Sequence, residues 1–266
     1  MLDVDRQPTS AVLAALPIFP LPNVVFLPGM VLPLNVFEPR YLELVDHVLD
    51  GGMHIGVPLL RLSAEGSDEI EDDDQLPVHD PDAALMTGVS PLRPRPAIES
   101  VFGVGQLIAH ERLPDGRRFI RLEGLGRVRA VAELPPEGMA FRRLSVEPLP
   151  ETEPGDLHAL EVLKAQVERM AETFDADDRE TVLSVLELED PRLIVYAIAS
   201  LIPNVELMRA VRRGRPLGGT MPHLRLLQRC LVRDTADERV DLLNARAAAL
   251  IDVLGESGSF PITTLN

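Results

Sequence analysis

Between Leu16 and Leu34 the chain is apolar at most positions, yet Pro17, Pro20, Pro22, Pro28 and Pro33 interrupt it every few residues. Proline lacks the amide donor and clashes with the preceding turn, so neither a helix nor a central strand fits this spacing. The stretch predicts extended chain with bends and strand edges, and Pro28-Gly29 predicts a turn whose glycine takes positive φ. The period then changes. Glu38 reads as an N-cap with Pro39 at the first helical position, and Phe37 and Leu42 fall at the staple positions around it. Tyr41, Leu44, Val45, Val48 and Leu49 follow helical spacing, and Gly51-Gly52 ends the helix. His54 to Leu60 predicts the next strand. Val101 to Leu113 and Arg117 to Glu123 flank Leu113-Pro114-Asp115-Gly116, whose Asp-Gly pair signals a hairpin. Further strands are predicted over Arg127 to Leu134 and Phe141 to Val146. About seven short strands with one inserted helix predict a closed or nearly closed antiparallel barrel.

At Pro148 to Gly155 the pattern shifts from period two to helical. Leu157, Leu160, Val162, Leu163, Val167 and Met170 mark one helix, and Val182 to Leu188 a second. Asp190-Pro191 opens a third through Leu201, and Val205 to Val211, Leu224 to Val232 and Ala236 to Leu254 predict three more. The chain is therefore read as α+β: a β-barrel subdomain over residues 10–148 and a helical bundle over 156–254. Arg212 to Gly219 reads as a joint within the bundle.

Composition narrows the partners. A net charge of −16 over 266 residues disfavours nucleic acid and anionic membranes, which are bound by neutralising phosphates. Residues 65–82 alone carry nine carboxylates and no Lys or Arg, more than half of that excess. No apolar run approaches the roughly 18–20 residues of a membrane span, and nothing near the first residue reads as an export signal. The expected location is cytoplasmic. The lone Cys230 sits in an apolar helical pattern and reads as a buried thiol.

Two blocks resemble a known family. Leu16 to Leu34 followed by Phe37-Glu38-Pro39-Arg40-Tyr41 is similar to the opening of the Lon protease N-terminal domain, the LON substrate-binding domain. Phe102 to Gly105, Leu113 to Gly116, Leu122-Glu123-Gly124 and Arg127-Val128-Arg129 resemble its second block, and Leu186 to Pro191 with Leu201-Ile202-Pro203 its helical tail. The resemblance implies a PUA-like barrel with a helical part behind it. It also implies a non-enzymatic module that holds unfolded or specific client proteins, alone or for a separate protease. The phosphate-cradling G-x-x-x-x-G-K-[ST] loop of an ATPase is absent, and Lys164, the only lysine, lies on an amphipathic helix rather than beside a serine. Neither ATP hydrolysis nor proteolysis is expected, and no cofactor.

Candidate sites follow from surface chemistry. Val25, Phe26, Leu27 and Met30 cluster at the proline-rich turn and are the candidate peptide-binding residues. Strand alternation predicts Arg117, Arg121, Arg127 and Arg129 on an outward face, with Ile120, Leu122, Val128 and Ala130 inward. That face is the candidate for an alternative, RNA-binding reading, although aromatics for base stacking are lacking. The six histidines show no metal-ligand spacing, Asp72-Asp73-Asp74 lacks the glycine and closing Glu of a calcium loop, and Gly103-Val104-Gly105 reads as strand glycines near a bulge. No metal site is expected.

Overall fold

Six strands and seven helices occupy the described residues of the computed structural model, which are 6–61, 96–174, 176–212 and 222–255. The acidic run 65–82 and positions 213–219 of the predicted joint lie outside them. The chain divides into two compact units, residues 1–150 and 151–266.

In the first unit the order is α1 (Ser10–Ala14), β1 (Leu16–Ile18), β2 (Val31–Val36), α2 (Pro39–Leu49), β3 (His54–Val57), β4 (Val101–Arg112), β5 (Arg118–Glu133) and β6 (Arg142–Leu149). The strands follow one another as β2-β5-β4-β3-β1-β6, and β6 pairs again with β5. All neighbours are antiparallel except β1 and β3, which are parallel at Ile18 and Gly56. The chain between those two, through β2 and α2, is long enough for such a crossover. Gly29 takes φ 77° as its turn requires, and Met30 N donates to Leu27 O there.

β5 is a single 16-residue strand where the sequence suggested two. Gly124-Leu125-Gly126 bulges it instead of ending it: Gly105 pairs with Gly124, Val104 with Gly126, and Leu125 is left over. One extra residue exchanges the two faces of a strand. Ile120 and Leu122, before the bulge, therefore pack with Ile55, Leu107 and the α2 residues Leu44 and Val45. Val128 and Ala130, after it, pack in a second core with Leu16, Ile18, Phe102, Val104 and Leu144.

Helix α2 begins as its sequence dictates, with Glu38 at the N-cap and Pro39 first, and it buries Tyr41, Leu44, Val45 and Val48. Tyr41 stacks on Phe19 with ring centres 4.0 Å apart, and burial pushes its phenol above the ordinary range. Phe37 stands 65% exposed, so it forms no staple.

The second unit holds α3 (Leu157–Ala171), α4 (Ala176–Ser184), a 3-10 turn (Val185–Glu187), α5 (Pro191–Arg212), α6 (Pro222–Val232) and α7 (Ala236–Gly255). The two helices predicted on either side of Pro203 are one, because Ile198, Ala199, Ile202 and Val205 are all buried along it. Their burial offsets the roughly 3 kcal/mol that an interior proline costs. Arg239, itself buried, donates to Arg233 O at 2.7 Å and lies 3.4 Å from Glu151 Oε2, which also accepts from the Tyr196 hydroxyl at 2.8 Å. Cys230 is buried as expected, and that burial pushes its thiol up to about 12.

Candidate functional site

Of the four turn residues, Val25, Phe26 and Leu27 are 3%, 0% and 1% exposed, and Met30 is half-buried. The segment lies directly on the strands. A Cβ on Gly103 would sit 2.0 Å from Phe26 O, and one on Gly124 would sit 2.2 Å from Leu27 O, so only glycine permits this approach. Gly103 and Gly105 are thus strand glycines beside the bulge at Val104/Gly105, as read from the sequence. In this state these apolar side chains serve packing, and a peptide could reach them only if the segment lifted.

The four arginines do not gather on one open face. Arg117 binds Asp115 locally, at 2.7 Å, and that hydrogen bond holds the Asp115 carboxyl below its ordinary range. Arg127 is 2% exposed and donates to Pro150 O at 2.8 Å. Arg129 is half-buried, and Arg121 is exposed. The expected alternation fails at Arg127 because the bulge at Leu125 exchanges the faces, which equal spacing along the sequence cannot reveal. Ile120, Leu122, Val128 and Ala130 are all buried, but in two different cores.

What the structure does open is the β2-β5-β4 face turned away from α2. The register sets Val31 beside Glu123, Pro33 beside Arg121 and Ala109, and Asn35 beside Phe119 and Glu111. Val31 is 49% exposed, Phe119 40%, and Ile108, left over at a second bulge between Leu107 and Ala109, 41%. Arg121 lies among these apolar groups. Arg6 closes one end of the face, donating to Gln106 Oε1 and Glu123 Oε2 at 2.6 Å each, while His54 Nε2 meets Arg6 O at 2.9 Å.

β2 is also the edge of the sheet: among the described residues it pairs with β5 alone. Gly124 N donates to Met30 O at 2.8 Å, which fixes the phase. By antiparallel alternation Leu32, Leu34 and Val36 bond inward, and the backbone groups of Val31, Pro33 and Asn35 point to the open side. Pro33, having no amide, stands at a position where none is needed.

This face escaped the sequence reading. The signal was present in V-L-P-L-N-V, where both alternating sets are largely apolar, and in the adjacent Phe119 and Ile120. Deciding which set is covered requires the register. Among the described residues no group of three His, Cys, Asp or Glu side chains could hold a metal ion.

Comparison with known proteins gives the chain a family. Residues 15–207 match the model of the ATP-dependent protease La (LON) substrate-binding domain. The chain belongs to this family. The matched stretch takes in all six strands of the LON domain and runs into α5. In fold it resembles the N-terminal domain of a Mycobacterium avium complex Lon protease, at 14% identity over 88% of this chain and 98% of that one, with a TM-score of 0.54. A Lon N-terminal domain protein from Xanthomonas campestris is also similar, at 21% identity over 87% of this chain and 97% of that one, with a TM-score of 0.49. No curated protein matches the chain. Among the described residues no helix is long and apolar enough to cross a membrane.

Proposed function

We propose that this LON domain is a non-enzymatic recognition module that holds extended or unfolded segments of client proteins in the cytoplasm, alone or for a separate protease. The observation that carries the reading is a substrate-binding family match together with an open sheet face of mixed apolar and charged character. The return of β6 to β5 supports a PUA-like barrel over residues 10–148, and the five helices of residues 151–266 support a bundle over 156–254. Shallow surfaces of this kind suit transient contacts, so dissociation constants of about 1 μM or weaker are expected.

Salt separates this reading from RNA binding. RNA held by six or more phosphate contacts weakens roughly a thousandfold between about 50 and 200 mM salt, whereas burial of apolar surface hardly responds. Titrating a fluorescent unfolded polypeptide and a single-stranded RNA over that range is the test. Salt-insensitive polypeptide binding is expected. A steep slope with RNA and none of the polypeptide would replace this function with the RNA-binding one.

A further inference from the structure

Resting on that reading, we infer that the occupant of the open face is an extended client strand which adds to the β2 edge and places a carboxylate opposite Pro33, flanked by apolar residues. Three observations carry it. The open side of β2 presents the backbone amides and carbonyls of Val31 and Asn35, with only a carbonyl at Pro33 between them. An incoming strand can exchange paired hydrogen bonds at both ends of this segment and one at its middle. Side chains of that strand opposite Val31, Pro33 and Asn35 would lie on the same face as Phe119 and Arg121.

Charge selects what stands at the middle. Arg121 is directly across Pro33, is exposed, and has no ion partner among the described residues. Glu123, the nearest acid along its own face of β5, is already taken by Arg6. Two strand spacings, about 10 Å, separate Arg121 from the middle of the added strand. An arginine and a glutamate side chain together cover that span above the low proline ring. On either side Val31 and Phe119 offer apolar contact.

Proline also argues against a second copy of this chain as the occupant. Two β2 edges paired about a two-fold axis centred on the segment would oppose Pro33 to Pro33, leaving the central carbonyls without a donor, and any other register shortens the paired stretch.

The test uses two fluorescent peptides of about six residues, identical except for Glu or Lys at the centre of an alternating Val/Thr sequence. Anisotropy with the full chain should favour the Glu peptide roughly five- to tenfold, an attractive pair against a repulsive one. Arg121→Glu should reverse that preference. Asn35→Pro, which removes an open-edge amide and leaves the β5 ladder intact, should weaken both peptides about fivefold beyond Asn35→Ala. Circular dichroism melts confirm that each variant folds. If unfolded polypeptide binds but neither substitution changes peptide affinity, the edge site is wrong and the recognition function stands. If neither polypeptide nor peptide binds, both fall. A concentration-dependent dimer in sedimentation, abolished by Asn35→Pro, would make a second copy the occupant and overturn the assignment.

Discussion

Adding one methyl group to Gly103 should unseat the segment that the proline pattern lays across the sheet. The new Cβ would fall 2.0 Å from Phe26 O, 2.9 Å from Phe26 C and 3.3 Å from Phe26 Cβ. The first two are backbone atoms, so no rotamer relieves the contact, and residue 26 must move by more than about 1 Å to restore ordinary van der Waals distance. That movement disturbs Val25, Phe26 and Leu27 together, three side chains at 3% exposure or less. Overpacking of this kind costs about 1–3 kcal/mol, and the backbone clash places Gly103→Ala at the upper end. Gly126→Ala is the matched control, since nothing lies within 4 Å of its Cβ and its φ is not positive; it should change stability by no more than about 0.5 kcal/mol. Hydrogen exchange with mass spectrometry reads the effect segment by segment, which matters in a chain of two units. Peptides covering 24–28 and β4 should lose protection by roughly a hundredfold in Gly103→Ala, equivalent to about 2.7 kcal/mol, while those of α3 and α7 stay unchanged. Equal protection in the two variants would show that the segment does not rest on the strand. Val25, Phe26 and Leu27 would then return as candidates for the binding surface.

Other perturbations reach separate parts of the fold. Glu151→Gln removes the carboxylate that lies 3.4 Å from the buried Arg239 and accepts from the Tyr196 hydroxyl, and should cost about 3 kcal/mol in urea unfolding, whereas Glu153→Gln, on the same segment, should be neutral. The Asp190 carboxyl is held below its ordinary range chiefly by its hydrogen bond from Arg192. Its stabilisation should therefore be complete above the unfolded value near pH 4 and fade as pH falls through the lower folded value, so melts of wild type and Asp190→Asn should differ at pH 7 and converge in acid. Burial that pushes the Cys230 thiol to about 12 makes it inert to iodoacetamide at about pH 8 until the second unit opens. Because an unfolded thiol ionises near pH 8.5, stability should decline as pH rises from about 9 towards 12, and Cys230→Ala should remove that part of the decline.

The sequence was most legible where one local rule acted alone. Glu38-Pro39 capped α2 as read, Asp115-Gly116 turned the β4-β5 hairpin, and Asp190-Pro191 opened α5, because capping and turn chemistry need only neighbouring residues. Failures came where one residue changed a phase or where burial outweighed propensity. Leu125 bulges β5 and exchanges its faces, which took Arg127 from the predicted outward row into a buried site. Pro203 reads as a helix end, yet α5 continues through it among buried neighbours. The open face of Val31, Ile108, Phe119 and Arg121 was hidden for a related reason: its members lie on three strands and meet only through register. The apolar turn residues were readable as a cluster, but their cover is supplied by glycines about eighty to a hundred positions away.

The most direct measurement of the central claim pairs one polypeptide in its folded and its permanently unfolded form. Each is titrated against the full chain by isothermal calorimetry, and its mass is read after prolonged incubation. Saturable binding of the unfolded form alone, at about micromolar affinity and with the polypeptide recovered intact, is the predicted result. Equal affinity for both forms, or recovery of cleaved fragments, would contradict a module that recognises extended chains and performs no chemistry on them.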